Sequence, residues 1–208
     1  MHIAEGVLDI PTLVASAACT AVGITIGLRR LTPETLPTAA LFAAVFFLIG
    51  TIHIPIGVGS VHLILNGLIG LVLGWLAFPV IFVSLALQAL LFSFGGFTSL
   101  GANTLLMALP AVTAGLILRP LLRRPPSSKR RLLAVGALAA TIGVLGAMLI
   151  AAVMLWSTGG ETLLGLITLV AAAQTPVWLI DLIVTALAVS MLGRARATAF
   201  ISETQRDL

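Results

Sequence analysis

Charge is scarce in this chain: of 208 residues, 9% are charged, against about a quarter in an ordinary soluble domain. Hydrophobic residues make up 60%, so there is too little polar surface to clothe a soluble domain. Tyrosine is absent, and any aromatic belt at a membrane surface must come from Trp and Phe. The single cysteine, Cys19, allows no intrachain disulfide. There is no phosphate-binding GxxxxGK[ST], no HExxH and no dinucleotide fingerprint. Nucleotide hydrolysis by the chain itself is therefore excluded, and paired acidic motifs that would mark a membrane enzyme are missing. The first ten residues, MHIAEGVLDI, carry Glu5 and Asp9 and no basic residue. A secretory signal opens with positive charge, so this segment is expected to be retained.

Long apolar runs fill the remainder. A bilayer core about 30 Å thick needs roughly 20 apolar residues in a helix rising 1.5 Å per residue. The expected fold class is all-α, a polytopic membrane bundle of about seven transmembrane helices. The expected helices are Pro11–Leu28, Leu36–Ile52, Val61–Leu76, a fourth from Phe78-Pro79 to Phe92, Ala102–Leu118, Leu132–Trp156 and Leu164–Leu192. Pro and Gly mark 53–60 and 95–101 as loops. Pro110 and Pro176 fall inside helices, where proline bends the axis. The chain reads as one transmembrane domain over 1–208, with a distinct N-terminal segment 1–10 and a basic loop 119–131.

With these boundaries all eleven basic residues fall on one side. The positive-inside rule makes that side cytoplasmic, with the N-terminus outside and the C-terminus inside. The high isoelectric point is then a topology signal, and nucleic acid is not an expected partner. The loop 119–131 suits anionic lipid headgroups or a partner protein. Gly70 with Gly74, and Gly143 with Gly146 and Ala147, are small residues that let helix backbones approach closely in lipid.

The three histidines, His2, His53 and His62, all fall toward the outer face. His2 follows Met1, which a bulky second residue protects from excision. The Met1 amine, the His2 backbone nitrogen and His2 Nδ1 can close small chelate rings on one ion. The amide must lose its proton, which favours ions with strong in-plane bonds to nitrogen, such as Ni(II) and Cu(II). A further imidazole would complete four ligands: His62, with His53 the other candidate. Glu5 and Asp9 add negative potential at an outer cleft. Asn66 and Gln88 lie inside apolar helices and need polar partners there. Asn103 is placed to brace the N-terminal segment or the glycine loop. Gln174 and Asp181 lie on the last helix, where Asp181 is a candidate coupling or assembly contact. Other readings of a chain of this composition are a binding component for a small organic micronutrient, in which a Met-His chelate has no purpose, and a membrane subunit that transports nothing.

Met1-His2-Ile3 with Glu5-Gly6, Gly59-Ser60-Val61-His62-Leu63 running into Leu65-Asn66-Gly67, Gln88-Ala89-Leu90-Leu91-Phe92, and Gly95-Gly96-Phe97-Thr98-Ser99-Leu100-Gly101-Ala102-Asn103-Thr104 together resemble one family. It is the substrate-binding membrane component of the energy-coupling-factor cobalt/nickel transporters, CbiM and NikM. The likeness covers essentially the whole chain and is strongest from Met1 to about Pro110. It implies a seven-helix protein whose N-terminus plugs into the bundle from outside. It implies Co2+ or Ni2+ as cargo rather than cofactor, held by the Met1 amine, the His2 backbone nitrogen, the His2 imidazole and His62. The glycine loop, with Gly95, Gly96 and Thr98, and Asn103 would pack over and brace that site. His53 becomes a cleft or supporting group. The implied partners are a transmembrane coupling subunit, two cytoplasmic ATPases that supply the energy, and a small accessory membrane subunit. The chain departs from the family at Leu106-Met107-Ala108, where Asn-Met-Gly is common, and at Gln174 and Asp181, where His and Glu are common. These departures leave the four implied ligands in place.

Overall fold

A computed structural model describes residues 2–52, 54–56, 59–122 and 128–194. Met1 and His53, the centre of the basic loop at 123–127 and the tail from 195 lie outside the described residues. The elements in chain order are strand β1 (His2–Ile3), helices α1 (Ile10–Leu28) and α2 (Leu36–Thr51), strands β2 (Ile54–Ile56) and β3 (Gly59–Val61), and helices α3 (Asn66–Leu73), α4 (Ala77–Phe92), α5 (Leu100–Leu122), α6 (Lys129–Gly159) and α7 (Leu164–Arg194). A 3₁₀ turn, Gly74–Leu76, joins α3 to α4, and another, Gly160–Leu163, joins α6 to α7. Four apolar runs are long enough to cross a membrane: Ile10–Leu28, Asn66–Phe92, Leu100–Leu122 and Lys129–Gly193. The last contains both α6 and α7, each of 31 residues. The protein is a multi-pass, all-α membrane protein.

The helices are built for lipid. Along α1 the buried positions are Ser16, Thr20, Gly23 and Gly27, while Ile10, Val14, Val22 and Leu28 face outward. Apolar side chains cost nothing against acyl chains, so the inward stripe is free to be small and polar. Thr20 Oγ1 donates to Gly101 O at 2.7 Å. Gly23 lies under the Phe78 ring and Gly27 under the Trp75 carbonyl and Pro79.

The third expected helix is corrected. Helix does not begin at Val61, which belongs to β3, and α3 covers only Asn66–Leu73, eight residues. At 1.5 Å per residue it is about 12 Å long, too short to cross by itself. All eight residues are buried, so α3 is the inner post of the bundle. Gly67 rests on the Ala139 backbone of α6, and Gly70 and Gly115 interlock α3 with α5. At the far end Gly74 has φ +56°. Arg119 Nε donates to Leu71 O at 2.8 Å and its Nη2 to Val72 O at 2.6 Å. A cation thereby satisfies carbonyls that the last turn of a helix leaves open. The small-residue pairs seen in the sequence are used within the chain: Gly143 packs on Asn66 and Gly146 on Pro110.

The start of α3 is fixed from α7. Leu65 sits just before α3 with φ +52°, a left-handed conformation unusual for a branched residue. Its N–H donates to Asp181 Oδ2 at 3.2 Å, and Thr185 Oγ1 donates to Asp181 Oδ1 at 3.0 Å. Asp181 is fully buried, so it faces the interior of its own chain instead of a surface that a neighbouring subunit reaches. The expected loop 53–60 instead carries two strands. Its described part forms a three-stranded sheet in the order β1-β3-β2, with both pairs antiparallel and His2 opposite Ser60. The expected basic loop is narrower too, because α5 runs to Leu122 and α6 starts at Lys129.

Candidate metal centre

The sheet brings the N-terminal segment to the strand that leads into His62, fifty-eight positions along the chain. Asn103, on the first turns of α5, acts as a side-chain strand beside β1. Ile3 N–H donates to Asn103 Oδ1 at 2.8 Å and Asn103 Nδ2 donates to Ile3 O at 3.0 Å. An extended residue turns its N–H and C=O to one side and its neighbour turns them to the other. With Ile3 turned to Asn103, the His2 backbone nitrogen turns toward β3, where His2 stands opposite Ser60.

Both imidazoles are buried, His2 to 4% exposure and His62 to 3%. Their ring centroids are 4.8 Å apart with 34° between planes. The Phe46 ring stands edge-on to His62 at 6.4 Å. Hydrogen bonds determine the tautomer of each ring. Gln88 Nε2 donates to the carbonyls of Phe47, at 3.1 Å, and Phe46, at 3.4 Å. This orients the amide with Oε1 as the acceptor for His2 Nε2, at 3.0 Å. His2 Nε2 therefore carries the proton, and Nδ1 carries the lone pair. His62 Nδ1 lies 2.7 Å from Leu63 O, which can only accept, so in the neutral ring Nε2 has the lone pair. A metal-ligating imidazole is held by just such a bond at its other nitrogen. The Gln88 amide fits because α2 has glycine at Gly50; a Cβ there would strike Gln88 Nε2.

The glycine loop covers this pair. Gly95 has φ +73°, and a Cβ on it would lie 2.8 Å from Asn103 Nδ2 and 3.5 Å from His2 Cδ2. A Cβ on Gly96 would overlap the Glu5 side chain. Ser99 ties the loop to α5, donating to Gly95 O and accepting from Asn103 Nδ2 at 3.1 Å. Glu5 Oε1 accepts from Thr98 N–H at 2.8 Å and from Thr98 Oγ1 at 3.1 Å. These bonds, the backbone one foremost, hold the exposed Glu5 carboxyl below its ordinary 4.5. Asp9 caps α1, accepting from Thr12 N–H at 3.2 Å and from Thr158 Oγ1 at 3.2 Å. An open cavity of about 380 Å3 lies above the loop, lined by Ala4, Glu5, Ala89, Ser93 and Gly95 to Phe97.

The structure thus brings His2, His62 and Gln88 together, with Gly95 and Asn103 beside His2 and Ile3, while Gly96 and Thr98 meet Glu5. Asn66 lies on α3, its Nδ2 donating to Met107 O at 3.2 Å and Gly143 O at 3.0 Å. It braces three helices against one another and does not touch the rings. Sequence reasoning missed Ser99, the Glu5–Thr98 clamp and the Asp181–Leu65 contact. Each joins distant residues, and only the glycine spacing at Gly95-Gly96 hinted at close packing there. Among the described residues no group of three His, Cys, Asp or Glu side chains forms a metal cluster. Among the described residues the two side chains with imidazole nitrogens that meet here are His2 and His62.

A multi-pass helical bundle that folds its N-terminal strand back over a buried histidine pair is the class these features define. Residues 2–199 match the family described as cobalt uptake substrate-specific transmembrane region, and the chain belongs to that family. It is 48% identical over 194 residues to a putative metal transport protein of Haemophilus influenzae, covering 93% of this chain and 94% of that protein. It is 36% identical over 161 residues to the fused nickel transport protein NikMN of Rhodobacter capsulatus, covering 74% of this chain and 46% of that longer protein. A crystal structure of a transition metal transporter superposes with TM-score 0.69 at 25% identity, covering 94% of this chain and 93% of that one. A truncated transition metal transporter gives 0.64 at 24% identity over 92% and 96%, and supports the fold. The chain is a substrate-specific membrane component of metal-ion uptake and not an enzyme, and the ion is its cargo rather than a cofactor.

Proposed function

We propose that this protein captures Co2+ or Ni2+ at the outer face of the cytoplasmic membrane for ATP-driven uptake of the energy-coupling-factor type. The Met1 amine, the His2 backbone nitrogen, His2 Nδ1 and His62 Nε2 would bind the ion, with residues 1–10 as the chelating segment of a single domain. The observation that carries this reading is the buried ring pair 4.8 Å apart, with Gln88 and Leu63 O leaving a lone pair on His2 Nδ1 and on His62 Nε2. The backbone turn set by Asn103 supports the third nitrogen. Gly95, Gly96 and Thr98 cover the pair, Glu5 fastens the cover, and Asn66 steadies the post below.

The chain has no nucleotide motif, so the energy comes from partners: a transmembrane coupling subunit, cytoplasmic ATPases and a small accessory membrane subunit. Engagement of the ATPases would reorient the bundle and open the site inward. Protonation of the amide then favours release. With seven crossings all eleven basic residues would share one side, which the positive-inside rule makes cytoplasmic, and the 119–131 segment would meet lipid headgroups or a partner there.

Calorimetry and visible spectroscopy with Co(II) and Ni(II) test the reading. Protein with a native N-terminus is compared with protein carrying one residue inserted before His2. Tight one-to-one binding with a planar-nitrogen Ni(II) spectrum, abolished by the insertion, is expected. Binding that survives the insertion would place the ion elsewhere. The ratio of the two affinities, set against the general preference of nitrogen sites for Ni(II) over Co(II), begins to separate nickel from cobalt use.

A further inference from the structure

We propose that the open cavity beside the glycine loop is the vestibule through which the hydrated metal ion reaches the histidines, and that residues 95–98 are its door. The proposal deepens the capture reading above and rests on it. Both histidines are buried, to 4% and 3% exposure, so an ion reaches their ring nitrogens only after part of the protein moves. The cavity of about 380 Å3 lies between Ala4, Glu5, Ala89, Ser93 and the loop. A divalent ion with six waters at about 2.1 Å fills roughly 180 Å3, so it fits with its hydration shell. Gly95 is both a wall of this cavity and a neighbour of the His2 ring, because a Cβ on it would lie 3.5 Å from His2 Cδ2. At that point one residue of backbone stands between the cavity and the ring.

The loop is easier to move than the strand beneath it. β1 is held by buried bonds: His2 Nε2 to Gln88, and Ile3 to Asn103 in both directions. Residues 95–98 are fastened to the N-terminal segment by the exposed Glu5 carboxylate, which accepts from Thr98 N–H and Oγ1, with a smaller contribution from Phe97 N–H. Phe97 is 59% exposed and anchors nothing. On one side Ser93 N–H stays bonded to Ala89 O at 3.0 Å, and the Phe94 ring stacks on Phe92 of α4. On the other, Ser99 O accepts from Asn103 N–H at 2.8 Å in α5. Between them Gly95 and Gly96 have φ of +73° and +86°, and glycine changes such angles at little steric cost. Swinging the loop out breaks the Glu5 bonds and the Ser99–Gly95 bond and leaves β1 in place. A door that is shut both before and after loading slows entry and exit by the same factor. Weakening its latch raises both rate constants alike and leaves Kd unchanged. Disturbing the ligands would instead speed dissociation and weaken Kd.

Stopped-flow mixing with Ni(II) tests this on three proteins with native N-termini. They are wild type, Thr98→Val, which keeps the shape and the loop N–H but loses the Oγ1 bond, and Gly96→Ala, whose Cβ would push into the Glu5 side chain. Each variant is expected to raise the association and dissociation rate constants together, by about three- to tenfold, with Kd within about twofold of wild type. Faster dissociation alone, with Kd weakened to match, would overturn the proposal, because the loop would then be holding the ligands. Rates equal to wild type would overturn it too, because the ion would then enter elsewhere. If one variant does not fold, the other decides. Hydrogen exchange on metal-free wild type separates loop from strand. The Thr98 amide is expected to exchange about tenfold faster than the Ile3 amide, or more. Equal exchange would mean that both open together, and the loop would not be the door. A wild type that binds no Ni(II) would count against the capture reading and take the vestibule with it, an outcome distinct from all of these.

Discussion

Gln88 fixes the His2 imidazole through hydrogen bonds that begin at the carbonyls of α2. Its amide donates to Phe46 and Phe47, so its oxygen is left to accept from His2 Nε2. Gln88→Leu would keep the volume and remove both ends of that chain. His2 would lose the bond that selects its tautomer and angle. Ion affinity should fall about 10–100-fold, the usual effect of removing a group that orients a metal ligand. Titration calorimetry with Ni(II) reads the change, and circular dichroism checks that the bundle is intact. An unchanged affinity would show that the ring is held by packing alone. At this scale the sequence was informative about which residue types mattered. His2, His62, Gln88 and Asn103 all stood out as polar groups in apolar surroundings. Their pairing was not legible, because His2 meets Gln88 across 86 positions and Ile3 meets Asn103 across 100.

Helices were more legible than strands, for a physical reason. α1, α2, α4, α5, α6 and α7 are long apolar runs, and in lipid an apolar run must be helical to satisfy its own backbone. The strands are two or three residues each, and β1 gains its partners only when the N-terminus folds back onto β3. The true start of α3 was hidden because Leu65 takes a left-handed turn that only the contact with Asp181 explains. Close helix contacts make a prediction here. A Cβ on Gly70 would run into the Ala111 carbonyl of α5, whereas one on Gly165 in α7 meets nothing within 4 Å. Gly70→Ala should destabilise by about 1–3 kcal/mol, as overpacking does. Gly165→Ala should be neutral or stabilise by up to about 1 kcal/mol, because alanine is the better helix former. Thermal unfolding in one detergent compares the pair, and equal midpoints would contradict the α3–α5 crossing.

The glycine loop behaves as an element with its own titration. Thr98 holds Glu5 below the ordinary carboxylate value of 4.5. A depressed pKa in the folded state means the clamp contributes fully above the ordinary value and is lost as pH falls through the lower, folded one. Hydrogen exchange at the Thr98 amide should show protection that is steady near about pH 6 and declines toward about pH 3. Glu5→Gln should remove most of that pH dependence. Protection in wild type that ignores acidification would mean the clamp does not hold the loop.

For the whole molecule the number of crossings turns on α3. α3 is too short to cross alone, yet the Asn66–Phe92 run as a whole is long enough. The 3₁₀ turn at Gly74–Leu76 interrupts it, and Arg119 braces that turn from α5. If the turn lies at the cytoplasmic end, the non-helical segment 62–65 and α3 together descend, and α4 climbs back to the glycine loop. Every basic residue then shares one side with the turn. Single cysteines placed in a Cys19→Ser background test this with a membrane-impermeant maleimide. Arg30→Cys, Trp75→Cys and Ser128→Cys should label only from the cytoplasmic face. Phe97→Cys and Glu161→Cys should label only from outside. Labelling of Trp75→Cys from outside would mean that α3 and α4 do not reverse direction at Gly74, and a span would be lost from the count. The histidine pair would keep its geometry in that case. The basic residues would then lie on both sides, and the charge asymmetry that orients the protein would need another cause.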